Sequence, residues 1–127
     1  MPDTETAIRT RRRVLGDAHV NRAEAAKTAF DAPFQALITD AAWGHVWGRD
    51  TIPLRERSMM TIALLAGLGN DHEPDLHLRA TCNTGTSEAD VMEVILHVAI
   101  YSSVPRANNA VWIAKEAFVA MAAEDRP

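Results

Sequence analysis

Cysteine is nearly absent from this chain. The single copy, Cys82, leaves no partner for an internal disulfide and no Cys-x-x-Cys pair for redox chemistry. A reducing, cytoplasmic setting is the expectation. Basic residues are also in short supply: 13 Lys and Arg stand against 17 Asp and Glu, for a net charge of −4. That balance argues against general nucleic-acid binding. The one dense basic run, Arg11-Arg12-Arg13, reads as a solvated helix face. No apolar stretch approaches the roughly 18 residues of a membrane span, and no signal-peptide pattern opens the chain. No Gly-rich phosphate loop or dinucleotide fingerprint occurs. Ser58, Ser87, Ser102 and Ser103 stand without the glycine frame of a nucleophile elbow. Alternating strand patterns, solenoid-length repeats and low-complexity linkers are missing as well.

What remains is helical. A chain of 127 residues is expected to be one domain, large enough to bury roughly two-thirds of its unfolded surface without a disulfide or a metal. The organising stretch runs from Pro53 to Ala80 as two helices meeting at a Gly-Asn-Asp corner. The first, Pro53 to Gly67, is almost wholly apolar after a charged opening, so burial on most of its sides is expected. The second, about Glu73 to Asn83, has Pro74 in its first turn and carries His77 between Leu76 and Leu78. Upstream, residues 1–29 form a polar, alanine-rich arm with a helix over Thr6 to Leu15 and a stop and turn at Gly16-Asp17. It has too few apolar positions for a core and is expected to lie across another part of the protein or a neighbouring subunit. Asp31 and Pro33 open a helix to Trp47, with Phe34, Leu37, Ile38, Ala41, Ala42 and Val46 at helical spacing. Ser87 caps a helix with the stripe Val91, Val94, Ile95 and Val98. A last helix, about Arg106 to Ala122, turns Ala110, Ile113, Ala114, Ala117 and Phe118 to one face. The expectation is an all-α, single-domain bundle of about six helices, with 30–127 as its core.

Several side-chain groups have chemical potential, each with a plainer reading beside it. Arg49, Arg55 and Arg57 cluster at the entrance of the apolar helix. Guanidinium forks suit a carboxylate-rich small molecule, and surface salt bridges explain such clusters equally well. Arg55 and Arg57 point to different faces, so at most one joins Arg49. Trp43 and Trp47, four apart, form either a substrate wall or part of the core or a subunit contact. Glu93, His97 and Tyr101 fall on one helical line, as a relay or as a buried hydrogen-bonded trio. His45 reads as structural or exposed. His72 and His77 are spaced poorly for metal ligation, and Glu93 with His97 lacks a third ligand, so no metal site is expected. Arg57 and His77, polar groups at the ends of the apolar helix and after its corner, lead the site candidates.

The chain resembles the carboxymuconolactone decarboxylase family, and within it the branch of the protocatechuate arm of the β-ketoadipate pathway. The resemblance runs through Arg12-Arg13-Val14-Leu15-Gly16-Asp17-Ala18-His19-Val20, Phe34-Gln35 and Trp43-Gly44-x-x-Trp47-x-Arg49. It continues through Arg57-Ser58, Leu64-Leu65-Ala66, Leu76-His77-Leu78-Arg79-Ala80, Asn83-x-Gly85, Glu93-Val94-x-Leu96 and Tyr101-x-x-Val104-Pro105-x-Ala107-Asn108. It implies an all-α, AhpD-like fold, a ring-like homo-oligomer (trimer or hexamer), and decarboxylation of a lactone carboxylate without cofactor. The peroxidase branch of the same superfamily uses a Cys-x-x-Cys pair where this chain has Ala66-Gly67-Leu68-Gly69, so that chemistry does not carry over. Asp50-Thr51-Ile52 and Ser102-Ser103 depart from the usual family residues near the expected pocket rim.

In the implied substrate the departing carboxylate sits gamma to a lactone carbonyl, across a carbon–carbon double bond. Loss of carbon dioxide delivers electrons to the carbonyl oxygen, and protonation at the alpha carbon gives the enol-lactone. The substrate is thus its own electron sink. Arg49 or Arg57 is expected at the acetate arm or the lactone carbonyl, where one donor is worth on the order of 3 kcal/mol. An arginine on the departing carboxylate would stabilise the ground state instead. His77 is the expected proton donor, since an ordinary imidazole titrates near pH ~6.5, with Glu56 and His97 as alternatives. Trp43, Trp47, His97 and Tyr101 complete the expected substrate-binding set.

Overall fold

The computed structural model describes residues 3–124, and the extreme ends of the expected 1–127 domain lie outside the described residues. Every regular element among the described residues is helical, eight α-helices and one π-helical turn. The chain divides after Leu54 into two compact units.

The first unit contains α1 (Thr4–Leu15), α2 (Asp17–Ala26), α3 (Ala32–Ile38) and a π turn over Thr39–Gly44. Asp3 caps α1 by accepting from the Thr6 N–H at 2.7 Å. Gly16, at φ 89°, ends α1 as expected and immediately starts α2, a helix the sequence pattern did not predict. The polar arm does lie across another element: α1 packs on the π turn. The buried residues of α1 are Ala7, Arg11 and Val14, spaced i, i+4, i+7 on one face. Arg11 is therefore buried and paired with Glu24 at 3.0 Å, which corrects the reading of the arginine triplet as wholly solvated. Lys27 and Arg11 together hold the Glu24 carboxyl below its ordinary range.

The helix expected from Asp31 to Trp47 is also corrected. Pro33 sits in the first turn of α3, but the Asp31 carboxylate turns back to the Thr28 N–H at 2.7 Å instead of capping forward. After Ile38 the chain widens into the π turn, where His45 N–H reaches Asp40 C=O at 3.0 Å and Trp47 N–H reaches Ala42 C=O at 2.8 Å, both five residues back. The wider turn shifts the inward face. Thr39, Trp43, Gly44 and Trp47 are buried, whereas Phe34, Leu37 and Val46 of the expected stripe are exposed.

The second unit holds α4 (Leu54–Gly67), α5 (Glu73–Arg79), α6 (Thr81–Thr84), α7 (Glu88–Tyr101) and α8 (Val104–Glu124). The corner after α4 forms where expected. Gly69 adopts φ 79°, and the N–H groups of Gly69 and Asn70 bond the carbonyls of Ala66 and Leu65, both at 3.0 Å. The helix expected from Glu73 to Asn83 breaks at Ala80 into α5 and α6; this break and α2 account for eight α-helices where six were expected. Ser87 and Asp90 form a reciprocal capping box on α7. Val91, Val94, Ile95 and Val98 then pack with Ala107, Ala110, Ala114 and Ala117 of α8, Leu78 of α5, and Ile62 and Ala66 of α4. Every member of the α7 stripe is buried, as its spacing predicts. The expectation that α4 is buried on most sides does not hold. Met60, Leu64 and Leu68, one turn apart along its far side and just past its end, are exposed, with Leu64 at 65%.

Candidate functional site

In the second unit, the first turns of α4 place Arg55, Glu56, Arg57 and Ser58 in different surroundings. Arg55 makes a forked pair with Asp90, Nε at 2.9 Å and Nη2 at 2.6 Å, and also meets Glu56 at 3.1 Å. Hydrogen bonds from Arg55 and from the Ser87 N–H hold the Asp90 carboxyl far below its ordinary range. Arg55 is thereby engaged in joining the starts of α4 and α7. Arg57 is 9% exposed and Ser58, beside it, 1%. The Ser58 hydroxyl and Glu56 Oε2 are enclosed and find no hydrogen-bond partner among the described residues. Glu56 offers its other oxygen to Arg55.

His77 lies in the last turn of α5 at 7% exposure, next to the fully buried Leu78. Leu78 anchors that turn in the core, so the imidazole on the neighbouring position is carried inward with it. A buried imidazole can hold or release a proton, and a buried guanidinium can hold negative charge. The buried Ser58 hydroxyl was missed at the sequence level, where only nucleophilic roles for serine were weighed. Its adjacency to Arg57 was the available signal.

His97 and Tyr101 sit elsewhere on the same unit. Their rings stack at 5.7 Å between centroids and line an open groove of about 290 Å³ with Ala63, Leu64, Leu68 and Ser102. Neither Arg57 nor His77 lines that groove. Glu93, His97 and Tyr101 are all exposed, Tyr101 at 84%, so they do not form a buried hydrogen-bonded trio. Gly67 also lines the groove, and its carbonyl accepts from Ser102 Oγ at 2.8 Å and from Arg106 at 2.6 Å. Ser102, one of the departures from the family pattern, thus ties the end of α4 to the α7–α8 turn.

In the first unit, Trp43 and Trp47 are both buried with ring centroids 5.2 Å apart. Trp47 also forms one wall of a cleft of about 230 Å³ that contains Arg49, Asp50, Ile52 and, from α1, Thr10 and Arg13. Gly48 makes the connection possible: a Cβ there would stand 2.7 Å from the Gly44 carbonyl oxygen. The structure thus brings Trp47 and Arg49 together, with Trp43 behind them. His45 is exposed, in line with one of its two readings. Among the described residues no group of three or more His, Cys, Asp or Glu is placed to hold a metal ion.

The motifs now have places in a helical frame, and residues 32–116 match the model of the carboxymuconolactone decarboxylase family. The chain belongs to the carboxymuconolactone decarboxylase family. It is 40% identical to the 4-carboxymuconolactone decarboxylase of Acinetobacter baylyi over 111 residues, covering 87% of this chain and 83% of that one. It is 38% identical to the nitrosuccinic acid decarboxylase of Metarhizium robertsii over 101 residues, covering 80% of this chain and 71% of the other. Both relatives are decarboxylases by name, and this member of the carboxymuconolactone decarboxylase family is a carboxy-lyase.

Proposed function

We propose that the chain removes carbon dioxide from 4-carboxymuconolactone to give 3-oxoadipate enol-lactone, the protocatechuate-branch step of the β-ketoadipate pathway, in the cytoplasm and without a cofactor. The observation that carries this reading is the 40% identity spread over most of both chains to the Acinetobacter baylyi enzyme. The carbon–carbon bond to the departing carboxylate breaks, its electron pair moves through the ring alkene onto the lactone carbonyl oxygen, and the resulting dienolate is protonated at the alpha carbon. His77 donates that proton. Glu56 is the weaker alternative because one of its oxygens is engaged by Arg55, and His97 because it lies on an open surface. Arg57 or Arg49 stabilises the dienolate oxygen or holds the acetate arm. Trp43 and Trp47 give the Arg49 cleft a rigid wall, and Tyr101 and His97 contribute an apolar binding groove. Residues 1–127 act as one domain in a homo-oligomer, a trimer or hexamer, supported by the exposed apolar row Met60, Leu64 and Leu68.

A second reading has one observation in its favour: the nearly equal identity to a nitrosuccinic acid decarboxylase. A nitro group beside a departing carboxylate is an electron sink as a lactone carbonyl is, so the same proton donor and oxyanion donors serve either substrate. The test is carbon dioxide release from each compound by purified, chelator-treated and dialysed protein. Release from the lactone alone, with loss of its ultraviolet absorbance, is expected. Turnover of nitrosuccinate alone would select the second reading, and activity restored only by a divalent ion would overturn the cofactor-free mechanism.

A further inference from the structure

We infer that the cleft lined by α1, α2 and α3 of the first unit binds a small organic carboxylate, held by Arg11 and Lys27. Its lining runs from Thr4 to Thr39, so it lies wholly within one unit and includes none of the residues assigned to the reaction above. The cleft has a volume of about 380 Å³. Its charged wall is unbalanced, with Glu24 as the carboxylate among the lining residues against Arg11, Arg12 and Lys27. The two oxygens of Glu24 are divided between two cations. Oε1 accepts from Arg11 Nη1 at 3.0 Å and Oε2 from Lys27 Nζ at 2.7 Å. Arg12 is matched separately, by Asp17 at 3.1 Å and by Asn21 at 2.9 Å. Arg11 and Lys27 therefore bring one positive charge more than Glu24 answers.

Arg11 also has donors to spare. Its side chain is 7% exposed, and among the described residues its guanidinium is bonded through Nη1. An enclosed N–H without a partner is costly, yet neither Nε nor Nη2 of Arg11 is among the enclosed, unpartnered atoms. Those two nitrogens therefore reach open space, and the cleft that Arg11 lines supplies it. Together they form one edge of the planar fork, which takes a carboxylate through two parallel bonds. The protein already uses that edge once: Nε and Nη2 of Arg55 hold the two oxygens of Asp90 at 2.9 and 2.6 Å. The remaining wall includes Ile8, Val20, Ala32 and Ala36. Apolar walls contribute nothing to an inorganic anion and cover the carbon body of an organic one. The volume lies within the range of small-molecule sites, roughly 300–1,000 Å³.

The test is a fluorine NMR titration of the full chain with para-fluorobenzoate. Two companions divide its features: para-fluorobenzyl alcohol keeps the ring without the charge, and inorganic phosphate keeps charge without the ring. Saturable binding of the acid is expected, with both companions weaker by about 10-fold or more. Lys27→Gln and Arg11→Gln should each weaken the acid by about 10-fold or more. Arg11 is buried, so its loss can unfold the protein; the exposed Lys27 keeps the test decisive. Ala36→Glu, at an exposed position of α3 lining the cleft, supplies a tethered carboxylate and should exclude the probe. Arg49→Gln and Arg57→Gln should leave this binding unchanged, which separates it from occupancy of a substrate site. No saturable binding, a companion as tight as the acid, or unchanged affinity in Lys27→Gln would each overturn the inference. Loss in Arg49→Gln or Arg57→Gln with Lys27→Gln unaffected would do the same. Failure of the proposed decarboxylation is read separately, from carbon dioxide release.

Discussion

Arg57 and His77 are buried side chains, whereas Glu56 is only partly buried and His97 is exposed. Enclosure strengthens an arginine's hold on developing negative charge, because screening by water is removed. Arg57→Lys retains the charge and loses the planar fork, so turnover should fall by on the order of 10²-fold, the effect of deleting one oxyanion donor. His77→Asn should keep affinity for an unreactive lactone and lose about 10²–10⁴-fold in rate, the range for general acid catalysis. Rate measurements beside binding measurements decide the matter. An unaltered rate in His77→Asn would move the proton to His97 or Glu56.

At the scale of elements, two short segments hold the candidate residues in place. Gly48 lies under the π turn, and Gly48→Ala forces its new carbon against the Gly44 carbonyl oxygen at 2.7 Å. The backbone cannot yield as a flexible side chain can, so a loss of about 1–3 kcal/mol is expected, readable as a lower urea midpoint. The second segment is the start of α7, where Asp90 serves both the capping box and the Arg55 fork. Its native carboxyl titrates far below the ordinary 3.8. A depressed native value means the contribution is complete above the ordinary value and is lost as pH falls through that value toward the native one. Urea unfolding from about pH 6 down to about pH 2 should therefore show wild type losing more stability on acidification than Asp90→Asn, which starts lower and varies less.

At the scale of the whole molecule, the exposed apolar side chains set the expectation. Met60, Leu64 and Leu68 form one row, and Leu96, Ile100, Tyr101 and Val104 add to the exposed apolar surface of the second unit. Large apolar surfaces on soluble proteins mark contact sites. The protein is expected to be a trimer or hexamer at micromolar concentration by light scattering, and Leu64→Glu should shift it toward smaller species. A monomeric mass for the wild type would remove the oligomer from the proposal.

The sequence by itself determined the helical class, the α7 stripe, the Ser87 start and the Gly69 corner. Each rests on local rules: a 3.6-residue period, a hydroxyl beside free N–H groups, a residue without Cβ where φ is positive. It also carried the family, because motif order is a property of the chain alone. Tertiary structure decided what local rules cannot reach. Whether an amphipathic helix is covered depends on what packs against it, so Leu64 is exposed and Arg11 is buried against the pattern each suggested. The π turn puts Thr39, Trp43 and Trp47 inside and leaves Phe34 and Leu37 exposed, which helical spacing alone did not indicate. Only folding could place Arg13 in the cleft of Arg49, since those residues lie on separate elements and no spacing rule links them.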